Sequence, residues 1–356
     1  MEDLTVIYTD KEGKTREMEV DEEEPILDLS RKGVISIDLE SVVAIPGLRE
    51  LDLGGNAIQE IDLTKLRQCQ TLLRLSLFKN QLKSIDLKPL AQCQGLEELN
   101  LGSNQLATID LSPLTSASNL KKLRLFNNGI NDLDISPLAG CINLETLDIE
   151  NNGIASIDLK PLSGCSNLQQ LNMMYNRLSE IDLAPLSNCT KLKFVYLHHN
   201  KLKSIDLSPF GGCADLKILR LGGNQIETID LTPLASCGEL RRLGLAMNRL
   251  LVLDLKPLAN ATSLSSLDIA GNRLSKLDLS PLESCEELTE FYIFSNHPAE
   301  NELDSLDISA LFNCSELEDF GVSEETELTA SRKLQDEEDL PLAIEELIED
   351  ERISWV

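Results

Sequence analysis

The sequence predicts an α/β solenoid: a curved horseshoe with a concave parallel β-sheet and short helices or 3₁₀ turns on its convex side. Three observations predict it. Asn recurs at 56, 80, 104, 128, 152, 176, 200, 224, 248, 272 and 296, always 24 residues apart. Each Asn follows an alternating apolar run such as Leu192-Lys-Phe-Val195-Tyr-Leu197. A period of two turns both apolar side chains inward and their neighbours outward, as in a β-strand. Further on in the repeat a Pro-Leu pair returns, as in Ser112-Pro113-Leu114, and nine of the thirteen prolines hold that slot. Such a fixed period means stacked supersecondary units that bury their apolar faces only against one another.

Taken in order, residues 1–25 lie outside the repeat. Leu4 to Tyr8 and Met18 to Val20 flank a turn containing Gly13, which predicts a β-hairpin capping the first open edge of the array. Residues 26–323 form the solenoid, about 12 repeats by this count. Its first repeat is degenerate, with Lys32 in the Asn slot, and full repeats run from Leu48 to Leu288. After Asn296 the stretch His297 to Asn301 is extra, and the register resumes at Leu303. This insertion is expected to project as a loop. Residues 324–356 are an acidic C-terminal cap or tail. There Pro341 to Ile348 reads as a short amphipathic helix, and Trp355 is expected to cover the last repeat's open core.

Within a repeat, the Asn side chain is expected to bond turn backbone of its own and the next repeat. Ser112 is read as a helix cap and Pro113 as the first helical residue, where a missing N–H costs nothing. Asp fills one slot twelve times, at 38, 62, 86, 110, 134, 158, 182, 206, 230, 254, 278 and 307. Local capping is the favoured reading, with calcium binding as the alternative; calcium needs six or more converging oxygens, which this single column does not offer. All nine Cys occupy one slot, where Ala117 and Ala261 also appear, so the slot takes a small apolar side chain. They are read as reduced thiols; a metal ladder or disulfides between repeats are the alternatives.

The motif LxxLxLxxNx[LI]xx[ILV]D[LI]xPLxxC resembles the leucine-rich-repeat family over about residues 26–323. In style it is similar to the short-repeat intracellular class that includes the SDS22-like phosphatase regulators. The resemblance implies a non-enzymatic, protein-binding scaffold or regulator acting through its concave face. It also implies a phosphatase catalytic subunit or a small GTPase as partner.

Composition narrows the function further. The 356 residues carry a net charge of −28, which argues against nucleic acid as a partner. No run of 18 apolar residues exists, so no membrane span is expected. The start Met-Glu-Asp-Leu lacks a secretory pattern, which with the Cys usage predicts a cytoplasmic, reducing location and a monomer. Phosphate-loop, zinc-protease and nucleophile-elbow motifs are missing, so neither catalysis nor a cofactor is expected. A secreted or surface receptor is the second hypothesis; the sequons at Asn188, Asn260 and Asn313 read as by-products of the repeat. A GTPase regulator using Arg177 or Arg249 is the third.

Outward strand positions lie two, four and six residues before each Asn, and six of the thirteen aromatics stand there. Aromatics and Arg anchor interfaces. The candidate partner-binding residues are Phe126, Met174, Tyr175, Phe194, Tyr196, His198, Arg220, Arg242, Tyr292 and Phe294. Residues 190–250 carry nine basic against five acidic residues within an acidic chain. The patch is therefore expected to centre on the repeats around Asn176, Asn200 and Asn224 and to take an acidic or phosphorylated protein segment. Asp268 is read as lying outside it.

Overall fold

The computed structural model describes residues 4–20, 25–294 and 301–356. The chain divides into two compact halves, Met1–Arg177 and Leu178–Val356. In the N-terminal half the strands are β1 (Thr5–Asp10), β2 (Thr15–Glu19), β3 (Ile26–Asp28), β4 (Val34–Ile37), β5 (Glu50–Asp52), β6 (Arg74–Ser76), β7 (Glu98–Asn100), β8 (Lys122–Arg124), β9 (Thr146–Asp148) and β10 (Gln170–Asn172). In the C-terminal half they are β11 (Phe194–Tyr196), β12 (Ile218–Arg220), β13 (Arg242–Gly244), β14 (Ser266–Asp268), β15 (Glu290–Tyr292), β16 (Ser305–Asp307), β17 (Asp319–Gly321), β18 (Glu327–Ala330) and β19 (Ile353–Trp355).

From Glu50 to Glu290 a strand begins every 24 residues, in register with the sequence period. Strands β3 and β5 to β10 pair in parallel, Leu51 opposite Leu75 and Leu123 opposite Leu147. Strands β11 to β15 and β17 do the same in the C-terminal half, ending with Phe291 opposite Phe320. From β5 to β15 the inward residue of each strand, Leu in all but Val195 and Phe291, is essentially fully buried. Burying one such side chain stabilises the fold by about 1.5–3 kcal/mol, so the stacked rows of Leu are the principal apolar contribution.

Opposite each strand the repeat closes with a 3₁₀ turn, such as Lys88–Gln92 or Ser208–Gly212. Successive i→i−3 bonds, Leu90 N–H to Leu87 and Cys93 N–H to Leu90, leave no room for a full α-helical turn. The exception is α1 (Leu39–Val43), in the degenerate first repeat. The cap is Asp and not Ser. Asp110 Oδ1 accepts the Ser112 N–H at 2.9 Å, and Asp206 Oδ1 accepts that of Ser208 at 2.8 Å. The residue two places after each of the other ten column Asp donates in the same way. Ser112 enters the turn as a donor, its own N–H taken by the carboxylate two residues before it.

The Asn ladder points the other way from expectation. Asn80 Nδ2 donates to Leu77 of its own repeat and to Leu53 of the preceding one, while its Oδ1 accepts the Ile58 N–H. Each rung therefore ties its repeat backward, not forward. At the insertion the rung is Asn301, which donates to Ile269 and Ile293 and accepts from Leu274. The Asn slot assigned to 296, and most of the insertion His297 to Asn301 expected to project, lie outside the described residues.

The nine Cys are buried thiols. Their column does more than fill space. Cys165 Sγ donates to the Cys141 carbonyl at 3.4 Å, and Cys93 Sγ to the Leu66 carbonyl at 3.4 Å, each in the preceding repeat. Burial pushes the Cys141 and Cys314 thiols up to about 12. Cys165→Ala is expected to cost about 1 kcal/mol, one modest hydrogen bond plus a small void, read from urea denaturation. The native protein should resist thiol reagents at pH 8, whereas the denatured, unreduced chain should titrate nine thiols. Stoichiometric disulfides would contradict this.

Each end adds a small sheet. At the N-terminus β1 pairs antiparallel with β2 and with β4, so the hairpin continues the far side of the first repeat and leaves the edge of β3 alone. At the C-terminus β18 pairs in parallel with β16 and β19. The helix α2 (Leu342–Glu349) buries Ala343 and Ile344, and Trp355 meets Phe312 edge-on at 6.1 Å. The last segment is thus docked.

Candidate sheet-face binding site

The face of each sheet is built from the side chains that alternation turns away from the core. In the N-terminal half this face neutralises itself. Arg74 pairs with Glu50 at 2.6 Å and with Glu98 at 3.6 Å. Lys122 and Arg124 also approach Glu98, at 2.7 and 3.8 Å. Phe126 packs on Phe78, ring centroids 5.7 Å apart. Its ring lies over Gly102, where a Cβ would come within 2.5 Å of it. Phe126 is half-buried, as Phe194 and Tyr196 are. Met174 is half-buried two residues after β10, and Tyr175 is exposed in the following turn with a positive φ of 54°.

Asp148 is the unusual group of this face. It is buried, accepts the Glu150 N–H at 3.3 Å, and lies between Arg124 and Asn172. Burial pushes its carboxyl up to about 6, with Glu150 adding to the shift. A folded-state value above the unfolded one stabilises the protein below the unfolded value, and the contribution is lost as pH rises through about 6. Asp148→Asn is therefore expected to raise stability at pH 8 and leave it unchanged at pH 4, as urea denaturation at the two pH values would show.

In the C-terminal half Phe194, Tyr196 and His198 come from β11 and its exit, Ile218 and Arg220 from β12, and Arg242 from β13. Register sets Phe194 opposite Ile218 and Tyr196 opposite Arg220. It sets Ile218 opposite Arg242 and Arg220 opposite Gly244. Tyr196 meets His198 edge-on at 6.2 Å. Burial pushes His198 down to about 4, helped by His199 and Arg220, so its imidazole is neutral at pH 7. Burial also raises the Tyr196 hydroxyl against the pull of Arg220 and Arg242. Both guanidiniums are exposed, and among the described residues neither makes an ion pair within 4.0 Å.

Because Gly244 has no side chain, a cleft of about 200 Å³ opens between Arg220, Arg242, Asp268, Glu290 and Tyr292. Asp268 therefore borders the patch and does not lie outside it. Its carboxyl is raised by burial although Arg220 opposes the shift. Tyr292 and Phe294 form a separate pair at 6.1 Å that lies over Gly321. The Tyr292 hydroxyl donates to Asp319 Oδ2 at 2.6 Å. Of the two, Tyr292 lines the cleft. Two larger clefts of about 540 Å³ run along the capping Asp column, and those carboxylates are already engaged by backbone N–H groups.

A chain of stacked strand–3₁₀ units with an Asn ladder is a repeat scaffold, and comparison with known families bears this out. The leucine-rich-repeat family profile matches residues 46–106, 118–178 and 190–250, and a two-copy form of it matches 166–211. The chain belongs to the leucine-rich-repeat family. Among solved structures it is similar to an internalin (inlF) from Listeria monocytogenes, with 28% identity and a TM-score of 0.66 over 85% of this chain and 79% of that one. It is also similar to the functional domain of InlJ from Listeria monocytogenes, which includes a cysteine ladder; identity is 23%, TM-score 0.65, coverage 88% and 66%. A leucine-rich-repeat protein of Leptospira interrogans matches at 19% identity and TM-score 0.65, over 89% and 86% of the chains. No curated protein sequence matches. Proteins of this fold are generally protein-binding scaffolds or receptors. No helix among the described residues is long and apolar enough to cross a membrane.

Proposed function

We propose that this chain is a non-enzymatic, monomeric binding protein of a reducing, cytoplasmic compartment. Its site is the sheet face at β11 to β13, and its partner is a protein that presents a carboxylate or phosphate group. The supporting observation is the contrast in charge pairing between the two faces. Arg74, Lys122 and Arg124 already have carboxylates within 4 Å, whereas Arg220 and Arg242 have none among the described residues. A planar guanidinium pair beside half-buried Tyr196 and Phe194 offers charge-assisted hydrogen bonds next to an apolar anchor. A phosphatase catalytic subunit or a small GTPase fits the resemblance of the repeat. The test is affinity capture with quantitative mass spectrometry, comparing the wild type with Tyr196→Ala. A partner retained by the wild type and depleted by the variant supports the site. Equal recovery on both would move binding elsewhere.

A further inference from the structure

The C-terminal half carries a second surface, on the rim that follows the ladder Asn. Within the repeat of Asn248, Leu250 and Leu253 turn inward and are buried. The two residues between them do not: Leu251 is 58% exposed and Val252 75% exposed. In every other repeat from Asn56 to Asn272 this pair contains a polar residue, such as Lys203-Ser204 or Ser275-Lys276. Met247, just before the same Asn, is 44% exposed. Two adjacent exposed aliphatic side chains where the repeat otherwise uses polar ones are a patch, not scatter.

The charge around this patch is equally local. On the positions one, three and four after Asn200, Asn224, Asn248 and Asn272, the charged residues are Lys201, Lys203, Arg249, Arg273 and Lys276 against Glu227 alone. The same positions after the six Asn from Asn56 to Asn176 carry Lys83 and Arg177 against Glu60, Asp132 and Glu180. Among the described residues none of the five rim cations makes an ion pair within 4.0 Å, although the chain as a whole is at −28. The backbone holds neighbouring rims in register, Arg249 N–H to Ile226 O and Arg273 N–H to Leu250 O, both at 2.9 Å.

We propose that this rim docks an acidic, apolar segment of a partner protein, independently of the sheet-face site. The cations select a segment rich in Asp or Glu, and Leu251 with Val252 takes its apolar side chains. An anionic membrane is the weaker fit. The exposed apolar area is only two or three side chains, too little to insert into a bilayer.

A phage-displayed random 12-residue peptide library selected against the full chain tests this. The expected result is enrichment of peptides combining Asp or Glu with Leu, Ile or Phe. They should bind Leu251→Ser/Val252→Ser about tenfold more weakly. Their affinity for Arg220→Ala/Arg242→Ala should be unchanged. Both rim side chains are exposed, so melting of the rim variant should match the wild type. Peptides lacking acidic character, or equal binding to the rim variant, would overturn the proposal. So would loss of binding only on Arg220→Ala/Arg242→Ala, which would assign the peptides to the sheet face. Phosphatidylserine vesicles that sediment the wild type but not the rim variant would overturn it in favour of a membrane. A dimer in light scattering that the rim variant abolishes would overturn it in favour of a second copy.

Discussion

Asn272→Ala is expected to lower the unfolding free energy by about 2–4 kcal/mol, more than any surface change on this chain. Asn272 is fully buried and serves four backbone groups, the Ala270 carbonyl being the longest contact at 3.4 Å. Its Nδ2 donates to Leu245 at 3.1 Å and to Ile269 at 2.9 Å, and its Oδ1 accepts the Leu250 N–H at 3.1 Å. The two carbonyls are shared with neighbouring rungs, because Asn248 also donates to Leu245 and Asn301 to Ile269. They keep one partner each. The Leu250 N–H is left with no such substitute in a buried setting, where an unsatisfied donor costs about 1–3 kcal/mol. The remainder comes from the weakened carbonyls and the void. Asn272→Asp should cost at least as much at neutral pH, since one carboxylate oxygen still accepts from Leu250 but the other would face the Leu245 and Ile269 carbonyls with no proton to donate. Urea denaturation of the two variants beside the wild type would order them. A loss under about 1 kcal/mol for the Ala variant would mean that water replaces the rung.

The second large effect is on binding. Arg220→Glu together with Arg242→Glu is expected to weaken partner binding by about 2 kcal/mol or more, roughly thirtyfold in affinity. Reversal acts twice. It removes two unpaired guanidiniums, and it adds carboxylates to a cleft that already holds Asp268 and Glu290. Association should also slow as salt rises for the wild type and lose that dependence in the variant. Arg74→Ala, whose guanidinium is already paired with Glu50 and Glu98, should bind as the wild type does. Both Arg are exposed, so the fold should be retained with only a small loss from repulsion by Asp268 and Glu290, and the readout is binding itself.

Much of the fold was legible because one period governs it. Leu, Asn, Asp, Pro and Cys return at fixed offsets, and alternation decides which side chains face the core. What escaped the sequence was direction and pairing. An Asn in a column bonds backward or forward with equal ease on paper; only the strand-to-turn geometry sends Asn80 to Leu53 and not to the repeat after it. The Ser–Asp pair likewise admits two caps, and the carboxylate of Asp110 takes the N–H that Ser112 carries. The choice of Cys over Ala became physical only with the sulfur near a carbonyl of the preceding repeat.

The site was less legible than the scaffold. The candidate aromatics could be placed on the sheet face by alternation, but not their coverage. Phe126 and the Tyr292–Phe294 pair settle over Gly102 and Gly321, and alternation alone does not say which neighbouring ring fills the space a glycine leaves. The cleft at Gly244 has the same origin, and it draws Asp268 into the patch. A count of local charge marked residues 190–250 as basic but did not say which cations were already paired. That distinction singles out Arg220 and Arg242.

The most direct test of the sheet-face assignment is site-specific photo-crosslinking in cell extract. The photoreactive residue p-benzoylphenylalanine is placed at Tyr196 in one protein and at the exposed Glu60 in another. The account predicts a discrete protein cross-linked from position 196 and not from position 60, and lost when Arg220 and Arg242 are changed to Glu. Cross-links of equal yield from both positions, or from position 60 alone, would contradict it.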